Sequence, residues 1–220
     1  MAGDRSLRKR ILQKSLVLFF SRGFSRVTTQ DIAGSLGISK KTLYQYFSSK
    51  HEIVLEAIDA NLEGLGSRIE AVMRAPGAGF SERFSQMLLL IHKQVSSISQ
   101  IFIEDMSRHL PEAWERIDAF RRNYILLCLR ELLHEGQREG VVRKDIDLEA
   151  VLFIMFGTIN RAITPEQLSK TDYPLSKILI TLLDVFYKGL LTPQGVGELD
   201  EKSEFMPKKE LGNEEKLFID

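Results

Sequence analysis

The sequence predicts an all-α protein: an N-terminal three-helix unit carrying a helix-turn-helix, followed by a helical bundle, about nine helices in total. Apolar residues recur at helical spacing through nearly the whole chain. Strand-like alternation is scarce, and Pro and Gly fall mostly at boundaries between the periodic segments.

The elements follow in order. Ile11, Leu12, Ser15, Leu16 and Phe19 share one face of a first helix that Gly23 ends. Thr28 stands three residues before Asp31, a capping-box-like start for a second helix through Leu36, with Asp in place of the usual Glu or Gln. Gly37 supplies a tight turn, and Ser39 caps a short third helix from Lys40 to about Phe47. Ser49 and Glu52 form an S-x-x-E box that opens a long fourth helix to about Arg74. After the break at Ala75–Gly79 come helices near Ser81–Ser97 and Gln100–Leu110, and Pro111 opens one that Gly140 closes. Leu148–Ile163 and Pro174–Leu191 are the most apolar late helices, separated by a capped turn at Thr164. Residues 192–220 hold eight acids and four lysines with weak periodicity, and read as a flexible acidic tail in which Leu217, Phe218 and Ile219 could dock on the body.

A formal net charge of zero hides an asymmetry. Residues 1–50 contain ten Lys or Arg against Asp4 and Asp31, a net +8, so residues 51–220 carry −8. A basic first quarter on an acidic remainder points to a polyanion-binding module, 1–50, joined to a body, 51–191, with another task. The lone cysteine, Cys128, forbids an internal disulfide and suits a reducing compartment. The charged N-terminus is followed by no apolar signal segment, and no apolar run approaches the roughly 20 residues that cross a bilayer. A cytoplasmic protein without membrane contact is the expectation. Gly-rich phosphate loops, nucleophile elbows and HExxH are absent, so catalysis is not expected and no cofactor is predicted. His109 with Asp105 has metal-ligand spacing, but no second His or Cys stands near, so no metal site is assigned.

The informative segment is Thr28–Phe47. Ile32, Ala33, Leu36, Ile38 and Leu43 fall where two short helices bury one another. The second of them presents Lys40, Lys41, Thr42, Tyr44, Gln45 and Tyr46, hydrogen-bond donors with interleaved aromatics and no acid. Phe19, Gly23 and Phe24, with Thr28, Ile32, Ala33, Gly37, Ile38, Ser39, Thr42, Leu43, Tyr44, Tyr46, Phe47 and Lys50, give the stretch from about Ile11 to Ala57 a strong resemblance to the N-terminal domain of the TetR family of regulators. Beyond residue 57 the resemblance is architectural. Two departures are visible: Ser15 stands where the family usually has alanine, and Lys41 where a small residue or proline is common.

The resemblance implies a sequence-specific, ligand-responsive repressor that binds a palindromic operator in duplex DNA as a dimer. Thr28, Thr29, Thr42, Tyr44, Tyr46 and Lys50 would contact phosphates, Gln30, Lys40 and Gln45 would read base edges, and Ser39 and Lys41 complete the DNA-binding set. Plainer roles stay open: Thr28 as a cap, Tyr44 as part of the core, Lys41 as a solvated charge. Leu148–Ile163 and Pro174–Leu191 would pair two copies through four helices. A cavity for an apolar or aromatic effector would draw on Phe84, Met87, Leu88, Ile91, His92, Phe102, Met106, Trp114, Tyr124, Cys128, Phe156 and Asn160, although a Met and aromatic stripe at helical spacing also describes ordinary core. An architectural DNA binder with no effector is the competing reading.

Overall fold

The computed structural model describes residues 2–202. Its helices are α1 (Ala2–Arg22), α2 (Thr29–Leu36), α3 (Lys40–Tyr46), α4 (Lys50–Met73), α5 (Phe80–Ser96), α6 (Gln100–His109), α7 (Pro111–Phe120), α8 (Leu126–Glu139), α9 (Leu148–Ala162), α10 (Pro165–Leu168), α11 (Leu175–Leu190) and α12 (Pro193–Lys202). A π-helical turn, Arg121–Ile125, joins α7 to α8 without a break. Among the described residues the sole β feature is a bridge between Val142 and Leu191. The segments outnumber the nine expected because the π turn divides the Pro111–Glu139 helix and because α10 and α12 are counted.

Local chemistry sets most boundaries. Thr28 Oγ1 accepts from Asp31 N (3.1 Å) and Asp31 Oδ2 accepts from Thr28 N (2.8 Å), so the shorter aspartate closes the full capping box. Ser39, Ser49, Ser99, Asp147 and Thr164 cap α3, α4, α6, α9 and α10 through their side-chain oxygens. Gly37 ends α2 at φ +68°, in the left-handed region.

The apolar side chains collect in two clusters. The first lies among α1–α3, the first half of α4, α6 and the start of α7, around Phe19, Ile32, Leu43, Phe47 and Phe102. The second lies among the second half of α4, α5, α8, α9, α11 and α12, around Phe80, Phe84, Leu132 and Tyr187. Helix α4 belongs to both: Ile53, Val54, Ala57 and Ile58 face the first cluster, Leu65 and Ile69 the second. At 1.5 Å per residue its 24 residues span about 36 Å, enough to connect the two ends of the molecule. Arg8 pairs with Glu56, tying α1 to α4, and Arg116 pairs with Asp59, tying α7 to α4.

The chain after Leu191 departs from the expected flexible tail. Its first ten-residue stretch is the helix α12, seated against α5. Leu199 is buried, Glu198 accepts a hydrogen bond from Ser81, and a Cβ at Gly195 would lie 2.2 Å from the Val141 carbonyl. Acidic composition masked these contacts. Leu217, Phe218 and Ile219 lie outside the described residues.

Candidate nucleic-acid interface and apolar cavity

Helices α2 and α3 cross at Gly37, with Ile32, Ala33 and Leu43 buried between them and α1. Their outer surfaces carry Thr28, Gln30, Ser39, Lys40, Lys41, Tyr44 and Gln45, all exposed, with Thr42 and Tyr46 half-buried. Lys40 Nζ stands 6.0 Å from the centre of the Tyr44 ring, over its face. In the first turn of α2 the Asp31 N–H is taken by the Thr28 cap, and helix geometry leaves the N–H groups of Thr29 and Gln30 without intrahelical acceptors.

Three of the expected phosphate contacts already have internal work. The Thr28 hydroxyl donates to Asp31 Oδ2 (2.6 Å), so its proton is committed to the cap. These hydrogen bonds from Thr28 hold the Asp31 carboxyl below its usual range. Thr29 is buried, its hydroxyl 3.4 Å from Tyr44 Oη. Lys50 turns inward: Nζ donates to the carbonyls of Phe24 (2.9 Å) and Val27 (3.0 Å) and lies 4.1 Å from the Phe24 ring centre. Burial lowers the Lys50 pKa and Asp105 opposes the shift. Lys50 therefore clamps the start of α4 to the turn before α2, with at most one N–H left for another acceptor.

Behind this surface, α6 grips the same turn. Asp105, 7% exposed, accepts from Ser25 N (2.9 Å) and Ser25 Oγ (2.5 Å), while Ser99 N donates to Phe20 O (2.9 Å). Asp105 is therefore engaged with Ser25, and no group of three or more His, Cys, Asp or Glu stands together among the described residues. Gly23, at φ +86°, lies so close that a Cβ would sit 2.5 Å from Ile101 Cγ2 and 2.7 Å from Asp105 Oδ2.

Between the two apolar clusters lies a cavity of about 160 Å³. Of the residues expected to line it, Met87, Leu88, Ile91, Met106, Trp114 and Phe156 do. The other six are elsewhere. Phe84 is fully buried between Phe80 and Tyr187, and Phe102 packs on Phe20. Tyr124 donates to Gly66 O (2.9 Å) and, with Cys128, borders a separate surface hollow near Glu131 and Arg138. Burial raises the Cys128 and Tyr124 pKa values, so the thiol stays protonated. His92 meets the Ser96 hydroxyl, and Asn160 is exposed on α9.

Sequence reasoning missed much of the wall: Ile58, Leu62 and Leu65 of α4, Phe20 of α1, and Arg121, Leu183 and Tyr187. The first three share one face of α4 at helical spacing, a signal present in the sequence. Arg121 carried no such signal.

Residues 11–57 match the family described as bacterial regulatory proteins, tetR family, and residues 80–189 match the C-terminal region of the YsiA-like protein. The chain is 26% identical over 182 residues to the uncharacterized HTH-type transcriptional regulator YvaF of Bacillus subtilis (strain 168), covering 83% of this chain and 94% of that protein. In fold it is similar to a TetR transcriptional regulator from Chloroflexus aurantiacus (TM-score 0.59, 20% identity, 87% of this chain and 100% of that one). It is also similar to the transcriptional regulator FadR from Bacillus subtilis in complex with stearoyl-CoA (TM-score 0.54, 18% identity, 82% and 98%).

Proposed function

We propose, from the premise that this chain belongs to the tetR family of bacterial regulatory proteins, that it is an effector-responsive repressor whose α2–α3 unit reads a palindromic operator. The observation that carries the reading is the exposed, acid-free surface of α3, with Lys40, Lys41, Tyr44 and Gln45 set beside the N-terminus of α2. Backbone N–H groups at a helix start hold a phosphate, and lysine and glutamine on the adjoining helix suit guanine and adenine edges in the major groove. Lys50 and Asp105 act behind that surface by fixing the Phe24–Val27 turn, and Thr28 acts chiefly as the cap of α2.

Two copies are needed for a long operator. Helix α9 offers a solvent-facing stripe at i, i+3, i+4, i+7 and i+8 from Ala150 through Phe153, Ile154, Gly157 and Thr158, with Phe153 81% exposed. Val185 of α11 is also largely exposed. Burying these side chains against a second copy removes apolar surface from water, which supports pairing through α9 and α11. A protein with this task works beside the chromosome, in the cytoplasm.

The cavity is the effector site in this reading, and the complex of the similar FadR with stearoyl-CoA supports a largely apolar occupant. Helix α4 lines the cavity with Ile58, Leu62 and Leu65 and packs along α1. Helix α6 lines it with Ile103 and Met106 and holds Ser25 through Asp105. An effector that fits one setting of these helices better than the other shifts the spacing of the two recognition helices in a dimer. Structures of effector-bound and DNA-bound forms with α4 and α6 in the same position would count against this mechanism.

Selection of bound duplexes from a random pool tests the central reading. An enriched palindrome with two half-sites is expected, with affinity falling as salt rises. Binding that is salt-sensitive but unselective would favour an architectural role, and no binding with or without candidate effectors would sink the proposal.

A further inference from the structure

The cavity between the two clusters is apolar over almost all of its surface. Ile58, Leu62, Met87, Met106, Met155 and Phe156 represent its wall. Besides the indole of Trp114, four lining residues carry a polar side chain: Asn61, Gln94, Arg121 and Tyr187. Arg121 turns its charge elsewhere. Its guanidinium lies over the Trp114 ring, 4.8 Å from the centroid, while Nη2 donates to Asp118 Oδ1 (2.5 Å) and reaches Oδ1 of the exposed Asn160 (3.5 Å). Asp118 meets that charge with its own, and Nε is buried out of contact with the space. The Tyr187 hydroxyl is shielded in the same way, in a residue 3% exposed, and burial keeps the phenol protonated. Asn61 and Gln94 are half-buried neutral amides that contribute almost nothing to the surface of the space.

A charge brought into such a space leaves water and meets neither a counter-charge nor a donor. An ionisable group placed there gives up its charge instead, because burial raises the pKa of an acid and lowers that of an amine. A neutral hydrocarbon has no such penalty. It leaves water and gains close contact with the wall.

We propose that the cavity selects neutral, compact, hydrocarbon-like molecules and excludes ionised ones, so that the effector carries no charge inside it. The inference rests on the reading of this cavity as the effector site and adds the charge state and size of the occupant. About 160 Å³ is close to the size of cavity that holds a benzene ring, so a single ring with a small substituent fits with little adjustment. The flexible Met87, Met106 and Met155 side chains supply that adjustment. Selectivity of this kind works by exclusion: the wall takes the apolar body of either molecule, and the unpaired charge alone separates them.

The chain's one tryptophan, Trp114, lies on this wall, so its emission reports occupancy, and the melting temperature gives a second readout. The full-length protein is titrated with isopropylbenzene and with benzoate, which share a branched outline and differ in charge. At neutral pH isopropylbenzene is expected to bind about a hundredfold or more tightly than benzoate. A carboxylic acid of pKa about 4 is roughly one-thousandth neutral at about pH 7 and roughly one-tenth neutral at about pH 5. Benzoate's affinity should therefore rise about a hundredfold over that interval, while that of isopropylbenzene stays level. Val95→Phe, at a half-buried position of the lining, fills part of the space and should weaken isopropylbenzene about tenfold or more. Ile159→Phe, also half-buried on the lining, serves if the first variant does not fold. Benzoate binding at neutral pH within about tenfold of isopropylbenzene, or binding that ignores pH, overturns the exclusion of charge while leaving the cavity reading standing. Hydrocarbon binding that both filling variants leave unchanged, or no response of emission and melting temperature to either molecule, removes the cavity reading and this inference with it.

Discussion

Replacing Gly23 and Gly37 by alanine, one at a time, separates the cost of backbone conformation from the cost of contact with α6. Both glycines are left-handed, at φ +86° and +68°. An alanine held there costs about 1–2 kcal/mol at either site. A methyl at Gly37 would meet no atom within 4 Å, so Gly37→Ala should lose about that amount and no more. At Gly23 the methyl would stand 2.5 Å from Ile101 Cγ2 and 2.7 Å from Asp105 Oδ2, so α6 must retreat or the Asp105–Ser25 bonds must stretch. Overpacking of that kind adds about 1–3 kcal/mol, for a total of about 2–5 kcal/mol. The assay is urea unfolding of the three proteins at one protein concentration, since any dimer linkage would otherwise enter the comparison. Gly23→Ala should be the less stable variant by about 1–3 kcal/mol. Equal losses, within about 0.5 kcal/mol, would refute the claim that α6 bears on the α1–α2 turn.

Ser15, which stands where the resembled family usually has alanine, is fully buried and its hydroxyl has no partner among the described residues. Ser15→Ala should therefore raise stability by about 1 kcal/mol in thermal or urea unfolding, and a loss would show that the hydroxyl is satisfied. Hydrogen bonds from Thr28 and from Ser48 lower the Asp31 and Glu52 pKa values in the folded protein. Their stabilisation is present above the ordinary carboxylate range and fades as pH falls from about 5 through the folded values, because the unfolded chain takes up those protons first. Thermal melts from neutral to acid pH should show a shallower loss in Thr28→Val, and parallel curves would contradict the cap's role. Phe153→Asp puts a charge on the exposed stripe of α9. Light scattering should then report monomers, with weakened binding to a palindrome but little change at a single half-site, whereas an unaltered dimer would move the pairing surface elsewhere.

The features legible in the sequence were those decided within a few residues of the chain. The Thr28, Ser39 and Ser49 caps, the Gly37 turn and the Pro111 start each depend on chemistry within one helical turn, and each appears where the residues predict it. The cavity was only half legible, for a geometric reason. Helices α5 and α6 are buried on more than one side, so the same apolar periodicity that puts Met87 and Met106 on the wall puts Phe84 and Phe102 in the packed core. Lys50 reads as a surface cation until the carbonyls of Phe24 and Val27 are seen around it, 26 and 23 residues away in sequence. Arg121 lies in a basic pair that looks solvated, and nothing in its neighbours announces the shared Asp118 or the ring of Trp114 beneath it. Helix α12 was hidden for the opposite reason: its composition is acidic, while Leu199, Val196 and Gly195 pack on the body and Glu198 accepts from Ser81.

The π turn makes the Pro111–Glu139 rod sensitive to a residue gained there but not to one lost. One wider turn between Phe120 and Leu126 sets the phase of everything before it against everything after it, so Trp114, Ile117 and Arg121 share a wall with Ile125 and Leu129. Each residue of an α-helix advances about 100° around the axis. A π turn holds one residue more than the α-helical turn it replaces, so deleting one residue within Arg121–Ile125 would let the segment relax to a plain α-helix with the Trp114 side still in phase with α8, whereas inserting one would turn that side about a quarter circle away from the wall. Among relatives with this topology, a gain of one residue there would act as a change of ligand specificity, whereas a loss there would be absorbed and a gain in the Ala75–Gly79 break would alter only a loop; a shift in Trp114 emission on a single-residue insertion, and none on the deletion, is the direct sign of that phase relation.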